Sequence, residues 1–180
     1  MAGQEEEEMR WVGLLAIGLG AVMSASCDDE AGKKKQAVDT TGSRATLVIE
    51  WQRLVDDGGK TCSRCGSTEA EILKAVKRLR EALPALGIEV ELKKSALDAA
   101  TFRKNPVESN RIWVAGKPLE EWLGATAGKS KCRDVCGPAD CRTITGGDRT
   151  YESIPAELIE RACLKAAAEM VGTRPSSGSC

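Results

Sequence analysis

Cys62-Ser63-Arg64-Cys65 constrains the chain more than any other stretch, because of what flanks it. Before it lies Thr46-Leu-Val-Ile-Glu-Trp51, a continuous apolar run of the kind a buried strand carries. After it, Thr68 to Leu83 places apolar residues at helical spacing. A CxxC at a strand-to-helix junction is the layout of a thiol-disulfide redox site. The helix N-terminus offers unsatisfied N–H groups and the positive end of its dipole to the first sulfur, and Arg64 adds a fixed positive charge. A free cysteine with pKa about 8.5 is only slightly ionised at neutral pH, whereas one shifted to roughly 7 is half ionised and nucleophilic. The same pair is also half of a zinc knuckle, and Cys132, Cys136 and Cys141 follow. Spacing leaves three readings open: a redox pair, soft-metal ligands, or a structural disulfide.

Composition narrows the chemistry. Histidine is absent, which removes the commonest general base and excludes Ser-His and Cys-His hydrolases. A metal site would have to be all cysteine, or cysteine with carboxylate. Lys and Arg number 26 against 27 Asp and Glu, and there is one Phe and one Tyr, so neither a basic face nor a stacking platform for nucleic acid is expected. The 180 residues leave room for one domain. At roughly 130 residues it would bury about two-thirds of its unfolded surface and fold without staples.

From Met9 the chain runs through Arg10, an apolar stretch and the small residues Ser24, Ala25 and Ser26 to Cys27. This predicts a secretory segment over residues 1–27, too short for a comfortable membrane span. Small residues before a cysteine resemble the lipobox of bacterial lipoproteins, which implies lipidation of Cys27. The expectation is an extracytoplasmic protein tethered to a membrane by lipid, with residues 28–44 as a flexible tether. A cysteine-poor cytosolic habit is not required in such a compartment, where disulfides persist.

Residues 45–172 are read as the domain and 173–180 as a disordered tail. Thr68 with Glu71 reads as a capping box opening the first helix, with Ile72, Leu73, Val76, Leu79 and Leu83 on one face, and Pro84 and Gly87 ending it. Ile88 to Leu92 alternates apolar with acidic, a strand with one wet face. A weaker helix is predicted over Ala96 to Lys104 with Leu97 and Phe102 inward, and a third strand over Arg111 to Ala115. Residues 124–141 are predicted to form an irregular, cysteine-rich insertion. Arg142 to Thr145 and Arg149 to Tyr151 read as a hairpin around Gly146-Gly147. Pro155 at N1 opens a last helix whose apolar stripe includes Cys163, a buried core thiol.

This order, strand, CxxC, helix, strand, helix, strand, hairpin, helix, resembles the thioredoxin-like fold over roughly residues 46–171. Ser109 to Leu123 resembles the third strand and following turn of glutaredoxins. Val48 to Leu54, Thr61 to Gly66 and Glu108 to Trp113 resemble an uncharacterised bacterial domain-of-unknown-function family in the thioredoxin-like group. The resemblance implies an α/β domain with a central mixed sheet and flanking helices. It departs at one position. Where thioredoxins and glutaredoxins carry a cis-proline against the active-site sulfurs, this chain has Asn110, and Pro106 lies too far upstream to substitute. That implies two sulfurs more open to a metal.

Two functions follow. In the first, the chain is a membrane-tethered thiol-disulfide oxidoreductase without cofactor: Cys62 attacks, Cys65 resolves and Arg64 stabilises the thiolate, with protein thiols or disulfides and a redox protein as partners. Cys132, Cys136 and Cys141 then supply a resolving cysteine or a structural disulfide. In the second, the chain is a non-catalytic module that binds zinc, copper or another soft metal through Cys62, Cys65 and two of Cys132, Cys136 and Cys141.

Overall fold

A computed structural model describes residues 44–132, 136 and 138–173. The secretory segment with Cys27, the tether up to residue 43 and residues 174–180 lie outside the described residues. None of the described helices is long and apolar enough to cross a membrane.

The predicted order of elements is present in a mixed α/β arrangement. Strand β1 (Ala45–Leu54) turns Leu47, Ile49 and Trp51 into the core, with Val48, Glu50 and Gln52 on the opposite face. It leads through a loop into helix α1 (Ser63–Ala82). Strand β2 (Ile88–Leu97) pairs parallel with β1 over its whole length, from Ala45 opposite Ile88 to Leu54 opposite Leu97. A parallel pair needs a crossover, and α1 supplies it. Helix α2 (Ala99–Lys104), capped by the Asp98 carboxylate on the N–H groups of Ala100 and Thr101, buries Phe102 as expected. Strand β3 (Arg111–Val114) then pairs antiparallel with β1, and the short β4 (Lys117–Pro118) pairs with β3. The four-stranded order is β2-β1-β3-β4. Between β3 and β4, Ala115 and Gly116 both take positive φ, 49° and 77°, and form a two-residue hairpin turn.

Helix α1 begins earlier than the capping-box reading places it, five residues before Thr68. Thr68 lies fully buried inside the helix, and its hydroxyl accepts from Asn110 and from the Ile154 N–H instead of capping. The cap is Cys62. Leu73 stands half exposed, and Ala75 fills the inward face beside Ile72 and Val76.

The insertion over 124–141 is more regular than expected. After helix α3 (Leu119–Leu123), strand β5 (Thr126–Lys131) pairs antiparallel with β6 (Asp140–Gly146), which pairs with β7 (Arg149–Tyr151). These form a second, three-stranded sheet. Thr126 to Lys131 has no apolar alternation to announce a strand, so its structure comes from tertiary partners, first of all its pairing with β6. The β6–β7 turn falls at Gly147-Asp148, one residue later than the Gly-Gly reading, because Gly146 is still paired with Arg149. Arg142 on β6 is buried, held by the Glu120 carboxylate of α3 and by the Val107 carbonyl at 3.0 Å, which fixes β6 near the first sheet. Helix α4 (Ala156–Gly172), with Pro155 in its N-cap seat, packs Ile159, Ala162, Cys163 and Ala166 into the core beside α1.

Candidate metal and thiol centre

The loop after β1 is closed by Asp56, whose carboxylate accepts from the N–H groups of Gly58 and Lys60 at 3.0 and 2.7 Å. The chain then delivers Cys62 to the N-terminus of α1. Its Sγ takes the place a serine or aspartate usually holds, accepting from the Cys65 N–H at 3.4 Å. Cys65 lies in the first turn, fully buried, with its Sγ 3.8 Å from the Ser109 hydroxyl. That hydroxyl accepts from the Leu54 N–H at 2.9 Å, so Ser109 joins the end of β1 to the second cysteine. Sequence reasoning missed Ser109; a buried serine beside the motif carries no periodic signal.

Next to it stands Asn110, buried just before β3. All described peptide bonds are trans, and Asn110 has φ 58°, a left-handed conformation that asparagine adopts more readily than most residues. Its amide donates to Thr68 Oγ1 at 3.1 Å, and its Oδ1 accepts from the Trp51 indole N–H at 3.2 Å. Asn110 therefore links β1, α1 and β3 just behind the cysteine pair.

The other cysteines arrive from the β5–β6 connection. Cys132 follows β5 and donates its N–H to the Ala139 carbonyl at 3.3 Å; Ala139 in turn donates to the Cys136 carbonyl at 3.4 Å. Cys141 lies on β6 opposite Ser130, fully buried. The sulfurs of Cys62, Cys132 and Cys136 all lie within 4.8 Å of one another, and those of Cys136 and Cys141 are 3.1 Å apart. The chain thus brings together the CxxC and all three cysteines of the former loop. All five are buried, Cys132 and Cys136 retaining only 7% and 6% exposure. The described cysteines are free thiols.

The side-chain partners of Arg64 lie at Glu152 and at the end of β5. Its guanidinium pairs with Glu152 at 3.0 Å and donates to the carbonyls of Lys131 at 3.1 Å and Ser130 at 3.5 Å. It thereby clamps the start of α1 to the end of β5, beside an open groove of about 700 Å³ lined by Ser63, Ser67, Lys131, Cys132, Glu152 and Ser153.

The thiols share protons unequally. Cys62 is held far below the usual thiol range because Cys136, Cys141 and Cys65 hydrogen-bond to it, with the Cys65 N–H helping against burial. Cys65 is pushed well above that range, chiefly by its bond to Cys62 and by burial. Cys136 is raised too, through its bonds to Cys141 and Cys62 and through burial. For Cys141 the bond with Cys136 acts downward, but the bond to Cys62 and burial outweigh it, and the thiol ends raised. The cluster carries one preferred thiolate at Cys62. Cys163, remote on α4, is a core thiol as expected, pushed up to about 12 by burial.

This arrangement can hold a soft ion. Tetrahedral zinc with Zn–S near 2.3 Å places its sulfurs roughly 3.8 Å apart. The present separations, from 3.1 Å for one pair to at most 4.8 Å within the trio, bracket that spacing.

Comparison with known proteins places these residues within a family. The chain is 40% identical over 113 residues to an uncharacterised protein of Archaeoglobus fulgidus, a match covering 63% of this chain and 82% of that protein. No solved structure matches it. A family profile described as Domain of unknown function (DUF2703) matches residues 47–163, a span that contains all five clustered cysteines. The chain belongs to this DUF2703 family.

Proposed function

We propose that the domain binds one soft, thiophilic metal ion, zinc or copper, through Cys62, Cys132 and Cys136, with Cys141 or Cys65 as a fourth thiolate. The observation that carries this reading is the approach of three sulfurs from two separate parts of the fold to within 4.8 Å of one another. Burial supports it. A packed core tolerates several adjacent thiolates only when their charge is compensated, and an ion does this by replacing the thiol protons. The absence of histidine from the sequence makes an all-thiolate shell the available chemistry. Elemental analysis of protein purified under reducing conditions without chelator tests the reading, alongside Cys62→Ser, Cys132→Ser and Cys136→Ser. Each variant should lose the ion, and wild-type protein free of metal would defeat the reading.

A thiol-disulfide oxidoreductase is the second reading. It is favoured by the N-cap position of Cys62 and by the opposite shifts of the two CxxC thiols, one toward thiolate and one toward thiol. In this reading Cys62 attacks and Cys65, deeper and fully buried, resolves. Cys62 itself is only 1% exposed, out of direct reach of a protein substrate, which favours the metal reading. For either activity we propose the extracytoplasmic setting implied by residues 1–27, with lipid on Cys27. Cell fractionation tests this, since Cys27→Ser should move the protein from the membrane to the soluble fraction.

The thioredoxin-like kinship belongs with these proposals. It is supported by a CxxC capping the helix between two parallel strands and by an antiparallel third strand on the other side of β1.

A further inference from the structure

Cys136 takes part in two relationships at once. It is one of the three sulfurs that converge as ion ligands, and its Sγ lies 3.1 Å from that of Cys141. A disulfide bond is about 2.05 Å long, so this pair is about 1 Å from bonding distance. The two residues belong to one short turn. The Ala139 N–H bonds back to the Cys136 carbonyl, and β6 begins at Asp140. Cys141 is fixed by its place opposite Ser130, so closing the bond asks for an approach of about 1 Å by Cys136.

We propose that a low-molecular-weight disulfide oxidises Cys136 and Cys141 to one another, and that this withdraws Cys136 from the ion and releases it. The proposal rests on the metal-binding reading and adds a redox gate to that site. Exposure sets the order of events. Cys136 retains 6% exposure and Cys141 none, so the Cys136 thiolate attacks one sulfur of the small disulfide RSSR. Its S–S bond breaks, a mixed disulfide forms on Cys136 and RS⁻ leaves with the electron pair. The Cys141 thiolate then attacks Cys136 Sγ and expels a second RS⁻. The protein loses two electrons and the small disulfide gains them; Cys136 gave up its proton on binding the ion, so the two RS⁻ groups are protonated from solvent, with any proton that the Cys141 thiol gives up. Cys62 and Cys132 remain of the trio, too few to retain a tetrahedral ion. A small thiol reverses both steps.

The test uses the full chain loaded with zinc. It is treated anaerobically with oxidised glutathione while a chromogenic chelator reports free zinc and peptide mass spectrometry maps the disulfides. The expected result is zinc release in step with a Cys136–Cys141 disulfide, and re-uptake after dithiothreitol and added zinc. Cys141→Ala should stop at a glutathionyl adduct on Cys136, visible in the intact mass, while Cys163→Ala, on the core face of α4 and outside the cluster, should release zinc as the wild type does. Release accompanied by a Cys62–Cys65 disulfide would overturn the gate, as would zinc retained after the Cys136–Cys141 pair has closed. Failure of the wild type to bind zinc at the outset is a separate outcome, which overturns the metal reading and the gate with it.

Discussion

The Arg64 guanidinium lies 3.0 Å from the Glu152 carboxylate and also donates to the carbonyl oxygens of Ser130 and Lys131, so it fastens the first turn of α1 to the strand that precedes Cys132. Glu152 is more than half exposed, and an ion pair of that kind contributes only about 0 to 1 kcal/mol. The bonds to the carbonyls matter more, because the arginine side chain is only 10% exposed and hydrogen bonds to charged groups contribute about 1.5 to 3 kcal/mol. Arg64→Ala should therefore cost more stability than Glu152→Gln in urea denaturation, and should weaken metal retention as well. Equal costs for the two variants would mean that the carbonyl bonds contribute little.

Asn110 offers a second test, because the proline that the thioredoxin-like resemblance implies at this position should be harmful here. Proline is fixed near φ −65°, whereas Asn110 sits at 58°, and proline also removes both side-chain bonds, to Trp51 and Thr68. Asn110→Ala should cost roughly 2 to 3 kcal/mol through buried groups left unpaired. Asn110→Pro should cost more than that. A proline variant as stable as the wild type in thermal melts would contradict the structural account of this position.

Glu71 connects α1 to α4, and its pKa is lowered by its bond to Lys74 and by the Ala156 N–H that it accepts at 3.1 Å. A carboxyl group whose folded pKa lies below the unfolded value of about 4.3 stabilises the fold above that pH, and the contribution is lost as pH falls through the folded value. Glu71→Gln should accordingly melt at a lower temperature than the wild type near pH 7, and the two should converge in strong acid. A gap that persists undiminished at low pH would assign the effect to packing.

The sequence made the first sheet legible where burial imprints a pattern. Leu47, Ile49 and Trp51 marked β1, the alternation from Ile88 to Leu92 marked β2, and Phe102 was rightly turned inward on α2; Leu97, expected on that helix, is buried instead as the last residue of β2, which pairs with β1 through Leu54. Local motifs misled where tertiary contacts claimed the same side chains. Thr68 and Glu71 have capping-box spacing, but one hydroxyl serves Asn110 and Ile154 and one carboxylate serves α4. Strand β5 left no pattern because Lys129 and Lys131 face solvent and what holds it, β6 and the Arg64 clamp, lies elsewhere in the sequence. Gathering Cys62 with Cys132 and Cys136 into one centre was among the arrangements that spacing allowed. Spacing could not select it, because the two segments meet through tertiary contacts such as those of Arg142 on β6 with Glu120 and Val107 and the Arg64 clamp. Arg64 read as a thiolate partner because of its place between the cysteines; its side chain instead runs to β5 and Glu152.

The most direct test of the metal centre is the count of ions per chain in protein purified under reducing conditions without chelator, measured together with thermal stability before and after metal removal. The account predicts about one zinc or copper per chain. It also predicts a marked fall in melting temperature on removal, since structural zinc sites contribute about 10 to 16 kcal/mol in small peptides, and loss of the ion in Cys62→Ser, Cys132→Ser and Cys136→Ser alike. Metal-free protein of unchanged stability, with Cys62 alkylated first and at low pH, would contradict it and leave the thiol-disulfide reading in its place.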